Sequence, residues 1–268
     1  MVATVGRKRL VALPLRVLPV APAMRVVAKR RRLVGILNLH SVPERYGEAF
    51  GGLLDHLQKT FAIGNPFVLE ETAGRGGTGP TLFLTFDDGL ANHAEVVAPE
   101  LEARGLRAIF SLPVAFLDAP HAEQLRWFRE RVYPEPTELH ADSDIRAMTW
   151  DQANALAERG HRLCSHGVQH ARLDGDVSAD LLEREVVQSR RLLTERVPTA
   201  VVDGFCWPIR AGAGAADELV RKTYRYALVG STRPLVAPHD LHCIYRANVE
   251  VSWRRSEIDL QLARLALR

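Results

Sequence analysis

Six residues, Thr81-Leu82-Phe83-Leu84-Thr85-Phe86, run apolar, β-branched and aromatic before the chain breaks at Asp87-Asp88-Gly89. A run of this length and composition that stops at a turn signal reads as a buried strand, and the two acids then sit at its tip. Strand and helix signals alternate along the rest of the chain, which is the α/β pattern. At 268 residues and 47% hydrophobic content the chain is long enough for one large core, and one domain fits better than two small ones. No internal repeat or low-complexity block interrupts it.

Two like charges at one strand tip resist joint ionisation unless a cation or a proton lies between them, so paired aspartates can divide the work of binding metal and moving protons. Far down the chain stands Ser165-His166-Gly167-Val168-Gln169-His170. Its two imidazoles are four residues apart, close enough to converge on one ion from a single turn or a tight loop. Each half has a plainer explanation. Asp-Asp-Gly after a strand is commonly a solvated turn, and a chain with ten histidines has chance pairs at this spacing. Both motifs following apolar segments is what favours a divalent-metal site.

At these residues the chain resembles the polysaccharide deacetylase family, also called the NodB-homology or carbohydrate esterase 4 family. The first family motif, Thr-Phe-Asp-Asp-Gly, stands unchanged at Thr85 to Gly89. The second, Ser-His-[Ser/Thr]-x-x-His, stands at Ser165 to His170 with Gly167 in place of the hydroxyl residue. Leu101 to Phe110 resembles the helix and strand after the first motif, and Met148 to His161 resembles the helix leading to the second. Ile36 to Val42 looks like the family's opening strand, with Leu39 where a tyrosine is usual before His40. The resemblance implies a distorted (β/α) barrel with its site at the C-terminal strand ends. It implies that Asp88, His166 and His170 bind one divalent ion, zinc first, with cobalt, nickel or iron as alternatives. Asp87 would be the general base, taking a proton from water that the ion has made more acidic.

The third family motif, Arg-x-Pro-[Tyr/Trp]-Gly, is where the chain departs. In Phe205-Cys206-Trp207-Pro208-Ile209-Arg210, Cys206 stands where the arginine is often found, Ile209 replaces the aromatic residue and Arg210 the glycine. Pro208 and Ile209 are expected to contact substrate, Ile209 through a backbone N–H that serves an oxyanion whatever its side chain. Loss of the arginine leaves the orientation of Asp87 without its usual support. Ile244 to Val249 looks like a Leu-Pro-Arg-Ile-x-Val strand of a divergent family branch. The family's Leu-x-His proton donor has no clear counterpart, His239 and His242 being the nearest candidates, and His40 is expected at the first strand tip as a substrate-pocket residue. An insertion near 120–147, with Trp127, Phe128 and Tyr133, is expected either to wall the pocket or to pack on the barrel exterior.

The net charge of +3 has a local source. Residues 1–43 hold Arg7, Lys8, Arg9, Arg16, Arg25, Lys29, Arg30, Arg31 and Arg32 and no acid. We read 1–32 as a basic, helical segment and 33–268 as the barrel. Arg16 and two prolines break the apolar stretch Leu10 to Val20, so it cannot span a bilayer. The segment is expected to pack on the barrel or to rest on anionic lipid, and no nucleic-acid partner is expected. Three cysteines in no paired spacing, Cys164, Cys206 and Cys243, favour free thiols and a cytoplasmic location. Gly74 to Gly79 matches Gly-x-Gly-x-x-Gly but precedes a strand, the wrong context for a dinucleotide site. The expected activity is metal-dependent removal of an N-acetyl or other small acyl group from an amino sugar or glycan intermediate. The alternatives are a deacylase of a non-carbohydrate small-molecule amide and a catalytically inactive sugar-binding barrel.

Overall fold

The computed structural model describes residues 20–209, 212–230 and 239–267. Arg7, Lys8, Arg9, Arg16 and the third-motif residue Arg210 lie outside the described residues. Its strands are β1 (Val34–Leu39), β2 (Ala62–Ile63), β3 (Thr81–Phe86), β4 (Ile109–Leu112), β5 (Arg162–Ser165), β6 (Gly204–Cys206), β7 (Tyr226–Gly230) and β8 (Ile244–Asn248). All pairings between them are parallel. β1 pairs with both β3 and β8, and β3 through β8 pair in chain order, so seven strands close into a barrel. The two-residue β2 is an appendage on the start of β3. This is the distorted (β/α) barrel, in one domain, that the resemblance implied.

The strands are mostly apolar because both of their faces are buried. Along β1 and β3 alternate residues Val34, Ile36 and Phe83 meet Ile109, Cys164, Cys206, Leu228 and Ile244 inside the barrel. The intervening Leu37, Leu39, Leu82, Leu84 and Phe86 join the outer core against the helices. The barrel interior is layered. At its N-terminal end the buried Arg162 is held by Glu70 at 2.6 Å and Asp203 at 2.6 Å, and its guanidinium lies 4.4 Å from the Tyr226 ring centroid. A buried cation needs such partners. The apolar layer follows, and the upper interior is polar, with Asn38, Thr85 and Arg246.

Local signals set where the motifs emerge. Thr149 and Gln152 form a capping box at the start of the helix Trp150–Glu158, and Gly160 at φ +84 ends that turn just before β5. The helix Val20–Arg31, carrying Lys29, Arg30 and Arg31 in its last turn, packs against the helix Arg255–Leu267. Among the described residues no helix is long and apolar enough to cross a membrane. The three cysteines are unpaired, Cys164 and Cys206 being buried.

Candidate active site

Asp87 and Asp88 follow β3 directly, and His166 follows β5, so the parallel barrel brings both motifs to its C-terminal face. Oδ1 of Asp88 lies 3.5 Å from Nε2 of His166 and 3.6 Å from Nε2 of His170. All three side chains are buried, and their ligand atoms lie within 4.8 Å of one another. The other ring nitrogens are committed. Nδ1–H of His166 donates to the Cys206 carbonyl at 2.8 Å, and Nδ1–H of His170 to the Arg131 carbonyl at 3.0 Å. A carbonyl only accepts, so both Nε2 atoms are turned toward Asp88, an arrangement that fixes metal-binding histidines. Oδ2 of Asp88 is buried with no hydrogen-bond partner. A buried carboxylate with one oxygen facing two imidazoles and the other without a partner fits a divalent cation.

The electrostatics agree with this. Burial raises the Asp88 pKa, but the hydrogen bond from His166 and the charge of His40 bring it down to about 2. Burial and the neighbouring His166 push His170 down to about 4, leaving it neutral at pH 7. His166 moves the other way: burial opposes its charge, but Cys206, Asp88 and Asp87 raise its pKa well above the ordinary value.

Asp87 is supported from an unexpected quarter. Arg246, on β8, gives its carboxylate a two-pronged hydrogen bond, Nη1 to Oδ1 at 2.8 Å and Nη2 to Oδ2 at 2.8 Å. Asn38 donates to Oδ2 at 3.1 Å, and the Cys206 thiol lies 3.4 Å from Oδ1. Nη2 of Arg246 also reaches Cys206 Sγ at 3.0 Å, so the small thiol leaves room for a guanidinium arriving from another strand. Nη1 is shared with Asn38 and Thr85 inside the barrel. The arginine missing from the third motif is thus replaced in space. Burial raises the Asp87 pKa, but the Arg246 charge overrides it and holds the carboxyl well below the usual carboxylate range.

The two aspartates and the two histidines open on a cavity of about 220 Å³ that His40, Tyr133, Ile209 and Asn248 also line. His40 is held by its carbonyl, which accepts from the buried His93, and its ring meets Tyr133 edge-on at 6.0 Å. Pro208 is buried and does not line the cavity. The insertion contributes Val132 and Tyr133 to the cavity wall, and its Arg131 carbonyl orients His170. It is therefore a wall of the pocket. His239 and His242 are elsewhere: His239 Nε2 bonds the Cys243 carbonyl before β8, and His242 Nε2 bonds the Tyr224 carbonyl before β7. Both lie at the N-terminal end of the barrel and neither lines this pocket.

Among the described residues four that are not glycine have positive φ, and three of them, Asp88 (77°), His170 (55°) and Ile209 (64°), are in this site. For a β-branched residue such as Ile209 this is a costly conformation, kept where the surroundings dictate it. Among the described residues the Ile209 N–H has no acceptor.

A family model described as polysaccharide deacetylase matches residues 74–227, a span that holds both motifs and the Cys206 strand. Among solved structures, a Streptococcus pyogenes deacetylase, PplD, in complex with acetate superposes with a TM-score of 0.68 at 14% identity, covering 86% of this chain and 98% of that one. IcaB from Ammonifex degensii gives 0.65 at 18% identity, covering 88% and 97%. The BpsB deacetylase domain from Bordetella bronchiseptica gives 0.65 at 16% identity, covering 83% and 97%. No curated protein sequence matches the chain. At such identities the superpositions speak for the fold, and the family rests on the matched model, which takes in more than half of the chain: the protein belongs to the polysaccharide deacetylase family.

Proposed function

We propose that the protein hydrolyses an N-acetyl or other small N-acyl group on an amino sugar or glycan intermediate, using one divalent ion. The observation that carries this is a buried Asp88 carboxylate with one oxygen facing two oriented imidazoles and the other without a partner, one residue from a carboxylate clamped by Arg246. Asp88, His166 and His170 would hold the ion, with zinc, cobalt, nickel or iron compatible with the donor set. Bound there, a divalent cation supplies Lewis-acid polarisation of the acyl carbonyl and lowers the pKa of water.

The chain's own groups do the rest. Asp87, kept ionised by Arg246, accepts the proton of the attacking water. The Ile209 N–H, which has no acceptor among the described residues, is the donor for the oxygen that becomes negative as the carbonyl carbon turns tetrahedral. Collapse of that species expels an amine, which needs a proton. His40 is the histidine of the pocket outside the ligand set, and we assign it that delivery. Tyr133, against the His40 ring, walls off solvent on that side. The polar rim with Asn248 suits a hydroxylated substrate, which is what favours a sugar over an apolar amide.

His166→Ala and His170→Ala should each lose the ion, read as metal content after dialysis, and with it all acyl release. His40→Asn should keep the ion and lose about 10²-fold in kcat, the usual scale for one proton-transfer group. Metal retained in both ligand variants would remove the proposed site, and an unchanged His40→Asn rate would remove the proton donor.

A further inference from the structure

The loop that carries both histidine ligands has no side chain of its own at position 167 to tie it down. Gly167 stands there at φ +80, and a Cβ on it would come 2.6 Å from Oε2 of Glu185. That carboxylate is 1% exposed and lies under the loop. Its Oε2 accepts from the backbone N–H groups of Val168 at 3.0 Å, Gln169 at 2.9 Å and Ala171 at 3.4 Å. Three amides converging on one carboxylate oxygen make an anion cradle of the kind formed by successive backbone N–H groups, here filled by the protein itself.

The element that delivers Glu185 is built for it. The helix beginning at Ala179 widens into a π-helical stretch, Glu183–Gln188, before resuming as Ser189–Arg196. A π-helical widening re-aims side chains and recurs at functional sites. Ser189, at its end, donates from Oγ to the Glu185 carbonyl at 2.6 Å, and Ser165 Oγ, next to His166, donates to Ser189 Oγ at 2.8 Å. The loop above needs an external hold, since His170 is left-handed at φ 55, a conformation that is unfavourable for a residue with a Cβ.

We propose that Glu185 is the positioning residue of the ligand loop, a buried carboxylate that preorganises His166 and His170 for metal from beneath. This rests on the metal-site reading above. Glu185 touches neither ligand side chain. It acts through the main chain between and after them, and it occupies the volume that a side chain at 167 would need.

The test uses Co²⁺ binding to the full chain, followed by titration and by the visible spectrum, with the exposed Glu183→Gln as control. Glu185→Gln keeps the shape and an acceptor but loses the charge that strengthens three hydrogen bonds. It should bind Co²⁺ about 10-fold or more weakly, as outer-sphere partners of ligands generally do, with a shifted spectrum and unchanged far-ultraviolet dichroism. Glu183→Gln should match wild type. Amide exchange of metal-free wild type gives a second readout that needs no variant: the Val168, Gln169 and Ala171 amides should already be protected. A Glu185→Gln protein with wild-type affinity and spectrum, or unprotected amides in the metal-free chain, would overturn the proposal. Wild type that binds no Co²⁺ would instead sink the metal-site reading, while the exchange result still decides whether Glu185 holds the loop.

Discussion

Asp87→Asn is expected to cut acyl release by about 10²–10⁴-fold in kcat while leaving the divalent ion in place. The amide is nearly the shape of the carboxylate, so the pocket wall and the Asp88, His166 and His170 cluster persist. What disappears is the acceptor for the water proton. The change also strands the Arg246 guanidinium, 3% exposed, without its counter-charge. Breaking a buried ion pair by removing one partner costs about 3–5 kcal/mol, so the variant should also melt earlier. Metal content separates the two effects. Ion retained with turnover lost marks a base; ion lost as well would move Asp87 into the ligand set.

Arg246→Met should produce the second large effect, and a different one. With the guanidinium gone, burial acts on Asp87 with only the more distant positive groups to oppose it, and its pKa rises. The acid limb of the rate profile should therefore move to higher pH, a change that loss of packing alone would not cause. Arg246→Lys should restore part of the rate but not the two-pronged geometry. Stability carries its own pH signature. The folded pKa of Asp87 is depressed, so the pair's stabilisation is present above the ordinary carboxylate value of about 3.9 and is lost as pH falls below it toward the folded pKa. Arg246→Met should lose about 3–5 kcal/mol near neutral pH, read by urea unfolding, and the gap to wild type should narrow in acid. An unchanged acid limb would show that Arg246 is structural only.

How much of this was legible before the fold was known depends on whether an interaction is local in sequence. The strand tip at Asp87 and the spacing of His166 and His170 are local, and the alternation of strand and helix signals is enough to bring both to one barrel face. The arrangement around Asp87 is not local. Its guanidinium comes 159 residues further along, and only the topology that closes β8 against β1 puts Arg246 beside it. A trace of this was present: an arginine in the middle of Ile244-Tyr245-Arg246-Ala247-Asn248 is out of place in a strand with buried faces unless an acid waits for it. His239 and His242 stand near the chain end in the sequence, but they precede β8 and so lie at the opposite end of the barrel from the site. Tyr133 was visible only as an aromatic in an insertion, because which face an insertion covers is set by packing. Glu185 had no signal in its own neighbourhood. The clue was at Gly167, whose missing side chain leaves the space that Glu185 fills.

On the proposed reading, this pocket hydrolyses an N-acylated amino sugar with one divalent ion held by Asp88, His166 and His170. The most direct measurement is acetate release from a panel of N-acetylated mono- and oligosaccharides by purified wild type, metal-depleted and then titrated with Zn²⁺ or Co²⁺. Release that is absent without the ion and saturates at one equivalent per chain, on a sugar but not on simple acetamides, is the predicted result. A chain that releases acetate equally well when metal-depleted, or that binds one equivalent of ion and releases nothing from any N-acetylated sugar, would contradict it.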